Sequence, residues 1–266
     1  MDLTGITLLP AAALVAAGLI LGLLFGSFLN CAAMRIVRKE DWVRERSRCR
    51  SCGHVLSAGD LIPVLSFVLA RGQCRYCGEK LSLRYPVTEL LFGGITALLF
   101  ARYGLTPELL RMFVLACCLF LLTLTDLEAR LIPNGCLIAA LIGYLATEPF
   151  LFQGWGEFGI HIAAMAGYAV AVLCLSLIMD TILKKESMGG GDIKLIGVLG
   201  LYLGVIGMMF ALFAACILGI LYALAARKLK RGQVITFGPF LAAAGFVMAL
   251  TGGTLVQWYI DLIYRI

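Results

Sequence analysis

Leu8-Leu-Pro-Ala-Ala-Ala-Leu-Val-Ala-Ala-Gly-Leu-Ile-Leu-Gly-Leu-Leu-Phe-Gly-Ser-Phe-Leu29 contains no charged residue. An apolar run of about 18 residues or more can cross a hydrocarbon core of about 30 Å as a helix. Similar runs recur, and polar breaks divide them into about eight predicted spans: 8–31, 87–103, 108–125, 133–150, 159–183, 193–207, 208–226 and 234–260. Apolar residues make up 61% of the chain and Asp, Glu, Lys and Arg 14%, against about 45–50% and about 25% in a soluble domain. The expected fold is therefore all-α, a polytopic helical bundle in lipid, because only helices satisfy their own backbone polar groups there. The first run is not a secretory signal. Its start carries Asp2 and no Lys or Arg, and it exceeds the usual h-region of about 7–15 residues, so it stays as the first span with Met1 on the far side.

Charge orients these spans. With the N-terminus outside, all but three of the 22 Lys and Arg residues fall in cytoplasmic segments, leaving Arg102, Arg111 and Arg265 for the other side. That asymmetry is the positive-inside pattern, which makes the formal +6 charge a topology signal. Nucleic-acid binding is excluded as the main reading, because the basic residues serve separate loops without interleaved aromatics. The chain then divides into a first span with its exit (1–36), a cytoplasmic domain (37–85) and a transmembrane bundle (86–266).

The cytoplasmic domain is rich in Arg and Cys, and at its size a single apolar core is marginal without a metal or disulfide. Cys49-Arg-Ser-Cys52 and Cys74-Arg-Tyr-Cys77 are two C-x-x-C pairs, the zinc-ribbon arrangement in which each turn aims two thiolates at one tetrahedral ion. Gly53 and Gly78 follow the second cysteine of each pair, where a tight knuckle favours a residue that tolerates positive φ. Disulfides are the competing reading, but they are rare in a reducing compartment. Four protein ligands close the zinc shell, so the ion is expected to be structural. Cys31, Cys117, Cys118, Cys136, Cys174 and Cys216 lie in or near spans, where free Cys behaves as a small hydrophobe. His54 is an outside candidate for a ligand, and His161 has no partner pattern.

Acidic residues against spans are costly and mark function by default. Asp126 closes the third span in Leu-Thr-Leu-Thr-Asp126-Leu-Glu-Ala-Arg-Leu-Ile-Pro133-Asn, and Asp192 opens the sixth in Met188-Gly-Gly-Gly-Asp192-Ile-Lys-Leu. By the assigned orientation both lie at the cytoplasmic ends of their helices and share one depth. Two carboxylates that meet in a low dielectric cannot both ionise easily, which is the asymmetry an aspartic peptidase needs. Gly189, Gly190 and Gly191 would let an extended substrate approach. Helix termination by Asp126 and N-capping by Asp192 are the structural alternatives. Asp180 is expected to pair with Lys184, and Asp60, Glu89 and Glu148 to be capping or interfacial groups.

These residues resemble the bacterial type IV prepilin peptidases, which also serve type II secretion. The resemblance runs through Gly26-Ser-Phe-Leu-Asn30 with Arg35, the C-x-x-C pairs flanking Asp60-Leu-Ile-Pro63-Val-Leu-Ser66, and Arg71-Gly72. It continues in Arg84-Tyr85-Pro86 with Glu89, Asp126 with Leu131-Ile132-Pro133, and Gly189-Gly-Gly-Asp192-Ile-Lys194-Leu. It implies a G-x-G-D intramembrane aspartic protease of the bacterial inner membrane, with Asp126 and Asp192 as its catalytic pair. It implies cleavage of a basic leader from prepilin or pseudopilin substrates after a glycine, at the cytoplasmic face. It further implies N-methylation with S-adenosylmethionine in the cysteine-containing region, where Gly72 is the residue connected with methyl transfer. Gln73 and Asn134 depart from the family, where a basic residue and an Asp are common. Acidic groups near the cleft, Glu128 together with the aspartate pair itself, are expected to offset the basic field toward the leader. A membrane scaffold and a thiol redox carrier are the competing function classes, the latter requiring a free thiolate of low pKa.

Overall fold

The computed structural model describes residues 11–41, 46–185, 188–226 and 236–264, with backbone alone for 252–260 and 262–264. Met1, Asp2, Arg44, Arg227, Lys228, Lys230, Arg231 and Arg265, which entered the topology reading, lie outside the described residues. The α-helices are α1 (Ala11–Arg38), α2 (Leu65–Leu69), α3 (Arg84–Tyr103), α4 (Pro107–Ala129), α5 (Asn134–Leu151), α6 (Trp155–Leu183), α7 (Gly190–Ala225) and α8 (Gly238–Tyr264). The described residues contain no strand, only the isolated bridges Arg48–Val55 and Gln73–Lys80. Helices α1, α4, α5, α6 and α7 are long and apolar enough to cross a membrane, and Gly238–Thr251 is a shorter apolar helix. The protein is a multi-pass helical membrane bundle with the four-cysteine module between α1 and α3.

The chain forms two compact units, Met1–Leu121 and Leu122–Ile266. In the first, α1 and α3 run antiparallel along a seam of small residues. A Cβ at Gly18 would stand 2.8 Å from Phe100, one at Gly22 2.6 Å from Thr96 Oγ1, and one at Gly26 3.0 Å from the Glu89 Cα. The spacing Gly18-x-x-x-Gly22-x-x-x-Gly26 keeps one face of α1 bare, which lets the backbones touch where lipid supplies no hydrophobic drive for association. At the end of the seam Arg84 Nε donates to the buried Asn30 Oδ1 at 3.1 Å.

In the second unit α7 reverses direction at Gly204, whose φ of 65° and ψ of −172° fall outside any helix. A straight helix would carry Tyr222 about 45 Å past Asp192. Instead, the Tyr222 ring lies 5.4 Å from that of Phe240, two residues after Gly238, which abuts Asp126. The two arms of α7 are the separate sixth and seventh spans, with the turn a few residues earlier than the expected 207/208 boundary.

The turn frees carbonyls that must be paired in lipid. His161 Nδ1 bonds the Leu201 carbonyl oxygen at 2.7 Å, and the Tyr168 hydroxyl donates to that of Val205 at 2.7 Å. His161, which had no evident partner in sequence, thus braces the turn from α6. Glycines again permit the contact: a Cβ at Gly200 would stand 3.0 Å from the Ala164 carbonyl oxygen. Because the conformation of Gly204 is nearly confined to glycine, Gly204→Ala is expected to cost about 1–3 kcal/mol. Thermal unfolding in detergent should show this as a lowered midpoint with helix content unchanged at low temperature.

Candidate active site and metal centre

Asp126 lies in the last turn of α4 and is 6% exposed. The helix ends when Arg130 takes φ 54° and its N–H returns to the Asp126 carbonyl oxygen at 2.9 Å. Leu131-Ile132-Pro133 then crosses to α5, where the Pro ring fixes the chain at the helix entrance. Asp192 lies in the first turn of α7, and the N-cap is Gly189, so the alternative of Asp192 as N-cap is not what forms. Its backbone N–H donates to the Gly189 carbonyl oxygen at 3.1 Å. The positive end of the α7 dipole therefore lies beside its carboxylate.

The two aspartates are brought together, close enough for their charges to interact. Asp126 Oδ2 and Asp192 Oδ1 are both buried and have no hydrogen-bond partner within the protein. A buried polar oxygen left unpaired costs about 1–3 kcal/mol, and such exceptions in a native structure call for an explanation. Here the two orphaned atoms belong to a carboxylate pair, which is the arrangement that general acid–base chemistry on a bound peptide requires.

Sequence reasoning missed the third side of the site. Gly238 opens α8 with its backbone N–H directed at the Asp126 carboxylate. A Cβ there would stand 2.6 Å from Asp126 Oδ2, so position 238 admits only glycine without displacing the acid. The available signal was Phe237-Gly238-Pro239 at the head of an apolar run, a helix start with a glycine before the proline. Ile132 joins the three segments: a Cβ at Gly191 would meet its Cβ at 2.9 Å, and one at Gly238 its Cδ1 at 3.6 Å. Gly191 is thus small because Ile132 packs on it. Of the three glycines expected to face a substrate, only Gly190 has open space at its Cβ position. Lys194 Nζ donates to Asn134 Oδ1 at 3.0 Å, tying the Asp192 helix to the start of α5.

The four-cysteine module repeats one knuckle twice. Gly53 N–H donates to the Cys49 carbonyl oxygen at 3.0 Å and Gly78 N–H to that of Cys74 at 2.9 Å, with glycine φ values of 73° and 74°. The thiol sulfurs of Cys49, Cys52, Cys74 and Cys77 all lie within 4.8 Å of one another, and Cys49 and Cys77 are 3.9 Å apart. A tetrahedral site with metal–sulfur bonds of about 2.3 Å has sulfur separations of about 3.8 Å, so the cluster can hold one metal ion. The Cys52 and Ser51 N–H groups draw the Cys49 thiol down to about 6. Cys77, though drawn down by the Glu79 N–H, is pushed up to about 12 by desolvation and its three thiol neighbours. His54 is not a ligand; it stacks on Tyr76 with ring centroids 3.6 Å apart.

Asp60, expected as a cap, accepts from the Ser57 hydroxyl and N–H and from the Tyr76 hydroxyl, and Arg75 lies 3.5 Å away. The Ser57 contacts, followed by Tyr76 and Arg75, hold its carboxyl below the usual range. Beside this module a cavity of about 370 Å³ opens between Phe67, Arg71, Gly72, Gln73, Lys80 and Leu83.

Comparison with known proteins gives a consistent result. Residues 20–103 match the bacterial peptidase A24 N-terminal domain, and residues 113–224 the type IV leader peptidase family. The chain is similar to a prepilin leader peptidase/N-methyltransferase of Bacillus subtilis (strain 168), 34% identical over 252 residues, which cover 91% of this chain and 96% of that protein. A protein of the same name from Pseudomonas putida is 30% identical, with 88% and 89% covered, and one from Aeromonas salmonicida (strain A449) 32%, with 91% and 92% covered. No solved structure matches.

Elemental analysis of the purified chain is expected to find about one tetrahedral metal ion per molecule. Cys74→Ser should lose the ion and the protease resistance of residues 46–83 while helix content by circular dichroism persists. A metal-free wild type with four titratable thiols would remove the assignment.

Proposed function

The chain belongs to the type IV leader peptidase family, and we propose that Asp126 and Asp192 are the catalytic pair with which it cleaves prepilins. It is a membrane enzyme that cleaves prepilins and N-methylates them. The observation that carries the catalytic assignment is a buried, unpaired oxygen on each aspartate, on segments that converge through Ile132, Gly191 and Gly238.

One carboxylate takes a proton from the attacking water and the other, protonated, donates to the scissile carbonyl, so that the pair returns to its starting charge after each turnover. Gly238 positions Asp126 through its N–H, and the open side at Gly190 is where substrate backbone approaches. The substrate is a basic leader joined to an apolar helix, cut after a glycine. Its helix lies in lipid, so the cut falls where the leader leaves the membrane. We place that face, with both aspartates and the cysteine module, on the cytoplasmic side of the bacterial inner membrane, and the N-terminus in the periplasm. Asp126→Asn and Asp192→Asn keep size and polarity but cannot exchange the proton. Each is expected to lower prepilin cleavage in membranes by about 10²–10⁴-fold. Gly238→Ala should lower kcat with little change in KM, because it moves the acid and not the substrate. Undiminished cleavage by either asparagine variant would end the assignment.

For the second activity, zinc in the cysteine shell organises the module, and S-adenosylmethionine supplies the methyl group. The cavity at Gly72 suits the donor in size, since small-molecule sites run from about 300 to 1,000 Å³. Arg71 and Lys80 would bind its carboxylate, Phe67 offers a ring face, and any side chain at Gly72 would close on Phe67, with a Cβ 3.2 Å from its Cζ. A hydrogen bond to a charged group is worth about 1.5–3 kcal/mol, so Lys80→Ala is expected to weaken S-adenosylhomocysteine binding about tenfold or more. Mass of the mature N-terminus should show less methylation with cleavage intact. Wild-type binding and methylation in both Lys80→Ala and Arg71→Ala would place the donor elsewhere.

A further inference from the structure

We infer that α2 and its approach, Leu61 to Leu69, lie in the headgroup–acyl boundary of the bilayer, so that the four-cysteine module is embedded in the membrane interface and not suspended above it. The buried Glu89, in the second turn of α3, accepts the backbone N–H of Val64 at 2.7 Å. Val64 is the residue at which α2 begins, and it holds φ 59° to present that N–H. The bond ties α2 to a point five residues inside α3, about 7 Å beyond the helix start at Arg84.

The partner helix shows what lies at that depth. Glu89 packs against Gly26 of α1, where a Cβ would stand 3.0 Å from the Glu89 Cα. Gly26 belongs to the uncharged part of α1, and the first basic residue, Arg35, comes more than two turns later. α2 is therefore anchored at the level of an apolar span. Interfacial segments bury their apolar face about 5–10 Å into the boundary, which is the depth this anchor imposes.

The exposed residues of the segment agree with that position. Leu61, Ile62, Leu65, Val68 and Leu69 are all exposed, Leu69 by 65%, in a stretch with no basic residue. In water such a cluster would be an unexplained apolar patch. It continues at Leu83, 69% exposed, into Val87, Leu90 and Leu91 on the outer face of α3. Because α3 packs along the span α1, its exposed outer face meets lipid, and with the surface of α2, which Val68 brings beside Leu83, it forms one apolar band. Acyl chains are the occupant that this continuity selects.

The test uses the full chain in lipid nanodiscs with an environment-sensitive fluorescent amino acid installed at Leu69, at Val87 as the lipid-facing reference, or at Ser51 as the exposed reference on the knuckle. Metal content of each sample confirms that the module is folded, and Leu65 serves as a second site should the Leu69 substitution lose its metal. Emission at Leu69 is expected to be lost to lipids brominated high in their acyl chains to the same extent as at Val87, and to resist aqueous iodide. Quenching by iodide as at Ser51 would overturn the inference. So would shielding from both quenchers, which would mean that protein covers the segment.

Discussion

The second unit is organised by the contact of Asp126, Ile132, Gly191 and Gly238. Two carboxylates that belong to different helices each keep a buried oxygen without a hydrogen-bond partner. Their meeting requires three chain segments to converge on one side chain's width. A Cβ at Gly238 would fall 2.6 Å from Asp126 Oδ2 and one at Gly191 2.9 Å from Ile132. With larger residues at these positions the acids would separate. The glycines are therefore part of how the carboxylates come to share one site.

The same economy of size recurs through the bundle. In lipid the association of helices is driven by packing and not by expulsion of water. The bare stripe Gly18-x-x-x-Gly22-x-x-x-Gly26 meets α3, and Gly197, Gly200 and Gly204 meet α6. At Gly204 close approach is joined to a reversal of the chain. His161 and Tyr168 supply the polar atoms that the reversal would otherwise leave unsatisfied. A lone histidine in an apolar helix is here a backbone partner.

Most of the span positions were legible because hydropathy is a local property of each run. The four-cysteine cluster was legible for a related reason: a C-x-x-C knuckle is built within a few residues, and its glycine follows from the φ the turn demands. Asp126 and Asp192 could be named because acids are rare in spans. What the sequence did not reveal was tertiary. Gly238 is one of 30 glycines, and nothing in its neighbourhood says that an aspartate more than a hundred residues earlier will stand against it. The turn at Gly204 falls within a few residues of the expected 207/208 boundary, but apolar residues on both sides leave no polar break to fix its position. Gly191, assigned to substrate access by its place in the motif, is filled by Ile132, a contact between segments that neither segment announces.

Membrane depth also does work that a soluble protease must do with a binding cleft. A prepilin-type substrate presents an apolar helix that lipid holds at a fixed level and a basic leader that lipid excludes, so the bond between them is delivered to the interface before any side chain recognises it. On the proposed assignment, catalytic groups on helix ends meet that bond without a deep specificity pocket, and Gly190 leaves an open side toward it. The newly formed amine then remains at the interface, attached to a helix that cannot leave the bilayer. The cavity proposed for the methyl donor is lined by both apolar residues, Val68, Leu81 and Leu83, and basic ones, Arg71 and Lys80, a mixture suited to that boundary. A module held by Glu89 at the depth inferred above would offer that cavity to a substrate confined to the interface, whereas a freely tethered domain would have to find the same amine against the entropy of its linkers.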